Sequence, residues 1–364
     1  MKTLSLSSAA QGAGRWFLES GIQETFGGVA RYYRLDLGKN AAVSTEITGY
    51  AISTLLYLDA RTGSPEYLEA ALGAGRFLTR AAWDRTEGTF PFEFALNGHL
   101  PEAAAYFFDA GSIVRGLLAL WRATREAEFL ETARACAESM AEDFQADGDF
   151  HPILKLPGKQ PVERQNRWSR DAGCYQLKSA LGWYELSEES GAAAYRSHYV
   201  KVLDYALRTQ AAFLPGEGQP ERVMDRLHAY CYFLEGLLPA TARPECAQVL
   251  GEGIRRVERL LGEIGPQFER SDVNAQLLRL RLFAAELGAL PLDRERAQRE
   301  AERAAGFQFC QGGPRLEGGF CFGRREGQLL PYVNPASSAF CAQALEMWRQ
   351  YQAGEFEPHW RTLI

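Results

Sequence analysis

The chain has 364 residues, 46% of them apolar, with a formal net charge of −6 and an isoelectric point near 5.6. The apolar content supplies a substantial core and excludes global disorder. The acidic balance argues against a nucleic-acid or anionic-membrane surface, and no stretch reaches the ~18 uninterrupted apolar residues of a membrane span.

The N-terminal stretch carries one Lys but no continuous apolar region, so no signal peptide is expected. Seven cysteines (Cys136, Cys174, Cys231, Cys246, Cys310, Cys321 and Cys341) are scattered and odd in number. That pattern fits reduced thiols in a cytoplasmic protein better than a disulfide framework. No C-x-x-C pair and no Cys-His spacing suits zinc, so neither a metal nor another cofactor is expected.

In chain order, "AAQGAGRWFLESGI" (residues 9–22) predicts a first helix. An apolar helix opens near Glu46, and after a turn at Gly63 the segment "SPEYLEAALGAGRFLTRAA" forms an amphipathic one. In it, Tyr67, Leu68, Ala71, Leu72, Gly75 and Leu78 keep the 3–4 residue spacing of one face. Ser64 before Pro65 is a helix-start signature. A loop rich in Gly and aromatics then closes the unit.

The same unit returns 62 residues later. "TLLYLDARTGSPEYLEAA" (from Thr54) falls on "GLLALWRATREAEFLETA" (from Gly116), and "FDAG" at Phe108 is echoed by "RDAG" at Arg170. Fainter copies open at Leu227, Ser271 and Val333. Repeats of this kind signal stacked supersecondary units. Six apolar inner helices have five outer partners after them, and residues 9–22 supply the sixth by closing the ring beside the last inner helix. The expectation is an all-α, single-domain (α/α)6 toroid over residues 1–364, with short strands in its loops. Units near 62 residues are longer than the hairpins of an open solenoid.

Through the repeat, "FDAG…GLLALWRAT…EFLETA" and "GGFCFGRREG…PYVNPASSAF", the chain resembles the six-hairpin glycosidase-like superfamily. No single family signature is matched. The resemblance implies a site at one mouth of the ring and a carbohydrate-active chemistry: hydrolase, epimerase or lyase. Fold analogy does not by itself fix the reaction.

The first polar residues at the inner-helix starts are Glu46, Asp109, Asp171, His228, Asp272 and Asn334, at steps of 63, 62, 57, 44 and 62 residues. Asp and Asn are good helix caps, so capping alone explains four of them. Glu46 follows the natural cap Ser44 or Thr45, and His228 is a poor cap. Glycosidic chemistry needs a protonated acid and an opposing base or nucleophile. Asp109 with Asp171 is the leading acid/base pair, Glu46 with Asp109 the other, and His228 supports either. Unsaturated uronyl hydrolases are similar in placing two aspartates on neighbouring hairpins. Some sugar epimerases of this fold use two histidines, where this chain offers one inner-helix His.

Arg167, Trp168, Tyr230, Asp272, Tyr332 and Asn334 are the candidate substrate-binding residues, because sugars stack on rings beside directed hydrogen bonds. Arg164, Arg167 and Arg170 could hold a carboxylate or phosphate. His99 and His151 lie in loops that could reach the mouth. The expected activity is hydrolysis of a glycosidic bond in an oligosaccharide or glycan fragment. The alternatives are a sugar epimerase or lyase, or a non-catalytic toroid that binds a glycan or a protein. The oligomeric state is open.

Overall fold

The computed structural model describes residues 7–95, 103–165, 167–216 and 218–364; His99 lies outside them. Twelve α-helices account for most of the described chain: α1 (Ser8–Glu19), α2 (Thr45–Thr62), α3 (Pro65–Phe77), α4 (Phe107–Thr124), α5 (Ala127–Glu142), α6 (Leu177–Ser190), α7 (Ala193–Phe213), α8 (Pro220–Leu237), α9 (Pro244–Ile264), α10 (Ser271–Glu286), α11 (Arg294–Ala305) and α12 (Pro335–Ala353). The chain forms two compact units, one of Gln23–Arg31 and Asn40–Gln210, the other of Met1–Ile22, Tyr32–Lys39 and Ala211–Ile364. Among the described residues no helix is long and apolar enough to cross a membrane. These residues include all seven cysteines, and none is in a disulfide.

In the first unit α2 packs on α3, α4 on α5, and α2, α4 and α6 pack side by side. The lateral contacts are backbone-close. A Cβ on Gly116 would lie 2.6 Å from the Gly49 carbonyl oxygen, and one on Gly111 would lie 2.3 Å from Ser179 Cα. Gly49 and Gly111 are repeat equivalents, 62 residues apart, and only glycine admits such contacts. Helix ends follow the repeat as well. Gly63 stops α2 in the left-handed conformation at φ 66°, and Arg125, one repeat on, adopts φ 61° at the end of α4.

In the second unit α8 packs on α9 and α10, α10 on α11 and α12, and α12 on α1. The α1 contact is fixed by polar bonds: the Ser7 amide donates to Glu346 at 2.8 Å, and Trp16 Nε1 donates to the Arg315 carbonyl at 3.0 Å. Inside this unit Arg279 and Glu235, both fully buried, pair at 2.7 Å.

Short antiparallel strands lead into four of the inner helices. Val43–Ser44 runs between Val29–Ala30 and Glu93–Phe94, with Ser44 opposite Val29 and Glu93, and continues into α2. Ala104–Tyr106 pairs with Ile153–Lys155 and continues into α4. Phe268–Arg270 leads into α10, and Tyr332–Val333, paired with Tyr33–Arg34, leads through Asn334 into α12. A strand pinned on its flanks fixes where the next helix begins, and so where its first side chains point.

Candidate functional site

Glu46 is the second residue of α2 and Asp109 the third of α4. Neither caps its helix. Ser44 does so for α2, its Oγ accepting from the Ile47 amide at 3.3 Å, and the N-cap of α4 is Tyr106, without a side-chain bond. Asp109 is buried, and its Oδ2 has no hydrogen-bond partner among the described residues. Burial, then the nearby Glu46 carboxyl, raises the Asp109 pKa well above the ordinary range. Burial likewise pushes Glu46 up to about 7, opposed by the Arg31 guanidinium. Helix N-termini favour an anion by only ~0.3–1 kcal/mol. Desolvating a carboxylate costs several, so burial outweighs the helix terminus and shifts Asp109 toward its protonated form.

Glu93 lies in one of the strands flanking Val43–Ser44, and Arg31 directly follows the other. They pair at 2.7 Å, which holds a cation against both carboxyls, and the guanidinium lies over the Phe92 ring at 5.3 Å. The Phe92 ring lies tilted against Tyr106, ring centroids 5.0 Å apart. Burial and the Asp109 charge raise the Tyr106 hydroxyl pKa, while Arg170, Arg167 and Arg31 lower it. Those three arginines and Asp109 therefore all act on the Tyr106 hydroxyl.

Asp171 is placed differently from the sequence expectation. It is not at the start of α6 but follows the 3-10 turn Trp168–Arg170, and its side chain is 54% exposed. It accepts from the Ala172 amide at 2.9 Å and lies 4.0 Å from Arg164. The carboxyl whose charge raises Asp109 is thus Glu46, not Asp171. A second 3-10 turn, Cys174–Gln176, intervenes before α6 begins at Leu177. Trp168 is half-buried, edge-on to Tyr175 at 5.2 Å, and Tyr175 in turn faces Phe108 at 6.0 Å and donates from its hydroxyl to the Asp171 carbonyl at 2.9 Å. Arg167 is exposed. His151 is partly exposed in its loop.

The remaining candidates belong to the second unit. His228 is not at a helix start; it is the ninth residue of α8. It is buried, with Nδ1 2.8 Å from Gln276 Oε1 and 3.8 Å from Asp272 Oδ2. Burial, then the Arg270 charge, lowers its pKa to about 4, so the imidazole is neutral near pH 7. With the Gln276 oxygen accepting, Nδ1 carries the proton. Gln276 Nε2 is buried without a hydrogen-bond partner among the described residues. Arg270 donates to both Asp272 oxygens at 2.9 and 2.6 Å and to Asp225 at 2.7 Å. Burial alone would raise Asp272, but Arg270 and His228 hold it below the ordinary range.

Tyr230, two residues past His228 and so about 200° round the helix, is buried, stacked with Phe213 at 6.3 Å and close against Gly253 of α9. It is a packing residue here rather than a partner of His228. Asn334 caps α12, accepting from the Ser337 amide at 3.1 Å. Tyr332 is half-buried, edge-on to Tyr32 at 5.3 Å and under Arg34 at 5.1 Å. Among the described residues no group of three or more His, Cys, Asp or Glu side chains is arranged to hold a metal.

Arg31 and Tyr106 were not singled out from the sequence; strand pairing brings them in, and no local motif marks it. Gln276 was also missed, although its spacing of four residues from Asp272 on one helix was a usable signal.

No family model matches the sequence, and no curated protein is similar to it at the sequence level. Solved structures are similar to it in fold. A cellobiose 2-epimerase from Spirochaeta thermophila has a TM-score of 0.70 at 15% identity, covering 95% of this chain and 96% of that one. A sugar epimerase from a ruminal bacterium has a TM-score of 0.70 at 12% identity, covering 91% and 94%. A family 76 glycoside hydrolase from a bovine Bacteroides thetaiotaomicron strain has a TM-score of 0.60 at 11% identity, covering 95% and 78%. The fold is therefore an all-α (α/α)6 toroid.

Proposed function

We propose that the chain is a carbohydrate-active enzyme that hydrolyses a glycosidic bond, with Asp109 as general acid and Glu46 as base. The observation that carries this reading is the buried Asp109 carboxyl, which caps no helix, has an oxygen without a hydrogen-bond partner among the described residues, and is raised well above the ordinary range by burial and the Glu46 charge. A carboxyl that neither caps nor pairs has no structural task that offsets its burial, and such groups concentrate at functional sites. The Asp109 acid donates its proton to the departing glycosidic oxygen while water attacks the sugar carbon and Glu46, as carboxylate, takes the proton from water. Arg31, anchored by Glu93, favours the ionised Glu46, while burial and the Glu46 charge favour the protonated Asp109. The rings of Phe92, Tyr106 and Trp168 offer faces for the sugar.

Fold likeness to sugar epimerases supports a second reading, in which the same pair relays a proton at a carbon beside a carbonyl. Incubating the protein with mixed oligosaccharides and following both reducing ends and C2-epimer content separates the two. Hydrolysis raises the number of reducing ends, and epimerisation changes the epimer ratio at constant number. If neither quantity moves with any substrate, the enzyme reading fails and the non-catalytic binding toroid takes its place.

A further inference from the structure

Three arginines lie in the loop before α6, and their partners differ. Arg164 is spoken for: it donates to both oxygens of Asp149 at 2.8 and 2.6 Å. Arg170 makes a single long contact to the neutral Gln165 amide at 3.4 Å. Arg167 has no side-chain hydrogen bond or ion pair among the described residues. The backbone holds both in place, since the Arg167 amide donates to the Gln165 carbonyl at 2.6 Å, the Arg170 amide to the Arg167 carbonyl at 2.8 Å, and the Gln165 amide to the Arg170 carbonyl at 3.2 Å. Trp168, between them in sequence, anchors the turn on Tyr175, which packs on Phe108 beside Asp109.

Two guanidinium groups without a carboxylate partner are thus held by these backbone bonds, and both act electrostatically on Tyr106, the N-cap of the helix that carries Asp109. The other cation there, Arg31, is matched by Glu93. Asp171 is the acidic group nearest this turn in sequence, and it lies beside Arg164 and the Ala172 amide. We infer that Arg167 and Arg170 select an acidic sugar, binding the carboxylate or sulfate ester of a glycan unit whose glycosidic bond lies at Glu46 and Asp109. Guanidinium forks match such oxyanions in shape as well as charge. Burial, which favours the protonated form of Asp109, reduces the repulsion that an anionic substrate meets from this acid. This inference rests on the proposed catalytic reading of that pair.

The test uses oligosaccharides from a uronate-rich glycan, the same oligosaccharides after chemical reduction of their carboxyls to alcohols, and a sulfated neutral glycan. Binding by isothermal titration and turnover by reducing-end release are measured for the wild type, Arg167→Gln, Arg170→Gln and the double variant. The expected result is at least about tenfold tighter binding of an anionic set than of the reduced set, a gap of 1.4 kcal/mol or more. That gap disappears in the double variant, through KM rather than kcat. Preference for the uronate over the sulfated set identifies a carboxylate as the anion, and the reverse identifies a sulfate ester. If the reduced oligosaccharides bind and react as well as the anionic ones, the acidic-sugar inference is overturned and the catalytic reading stands. If no oligosaccharide of either kind binds or reacts, both are overturned.

Discussion

Glu46 and Asp109 differ from His228 in the sign of what burial does to them, and the difference is measurable without a substrate. A carboxyl raised to about 7 binds more protons folded than unfolded between its ordinary value near 4.5 and 7. Stability therefore falls as pH rises through that window and stays low above it. Glu46→Gln removes this cost, so the variant is expected to be more stable than the wild type at pH 8, by on the order of 1–3 kcal/mol. The gap closes below about pH 4.5. Urea unfolding at both pH values reads it, and a variant less stable than the wild type at pH 8 would show that Glu46 is a structural anion. His228 has the opposite sign: lowered from 6.5 to about 4, it makes stability fall as pH drops through that interval.

At the level of elements, the distance between the two carboxyls is set by helices in backbone contact. Gly116→Ala would drive a methyl into the Gly49 carbonyl, and Gly49 lies one turn beyond Glu46 on α2. Overpacking of this kind costs about 1–3 kcal/mol. The variant is expected to lower Tm and turnover together, because α4 can yield only by moving Asp109 relative to Glu46. Gly262→Ala on α9, where an added Cβ meets nothing within 4 Å, is the control and should be neutral or mildly stabilising. Equal behaviour of the two variants would mean that the α2–α4 contact is not tight.

Helix starts also explain what the sequence could reveal. α2 and α4 begin at Thr45 and Phe107, 62 residues apart and each off a pinned strand, so the repeat read from the chain located Glu46 and Asp109 correctly on their helices. The same offset misplaced Asp171, because 3-10 turns replace the start of α6, and His228, because α8 begins eight residues earlier at Pro220. Periodicity registers which residues share a helix face, but not how much helix precedes them. The cation at the site was illegible for another reason. Arg31 reaches Glu46 and Asp109 through strand pairing with Val43–Ser44, a contact without a local sequence signal.

Over the whole molecule, the internal repeat made the (α/α)6 class readable, since every copy must bury an apolar inner helix and expose a charged outer one. The chemistry was less readable, because capping and catalysis draw on the same residue types at the same positions. Only burial and partner geometry separate them: Asn334 caps, Asp171 is exposed beside Arg164, and Asp109 does neither. The central claim is that Asp109 and Glu46 perform the acid/base work. Its most direct test is the turnover rate of Asp109→Asn, Glu46→Gln and Asp171→Asn on one oligosaccharide that the wild type cleaves. The first two should each lose at least about 100-fold in kcat with the fold intact by circular dichroism, while Asp171→Asn stays within a few-fold of the wild type. Full activity in Asp109→Asn, or a loss confined to Asp171→Asn, would contradict the account.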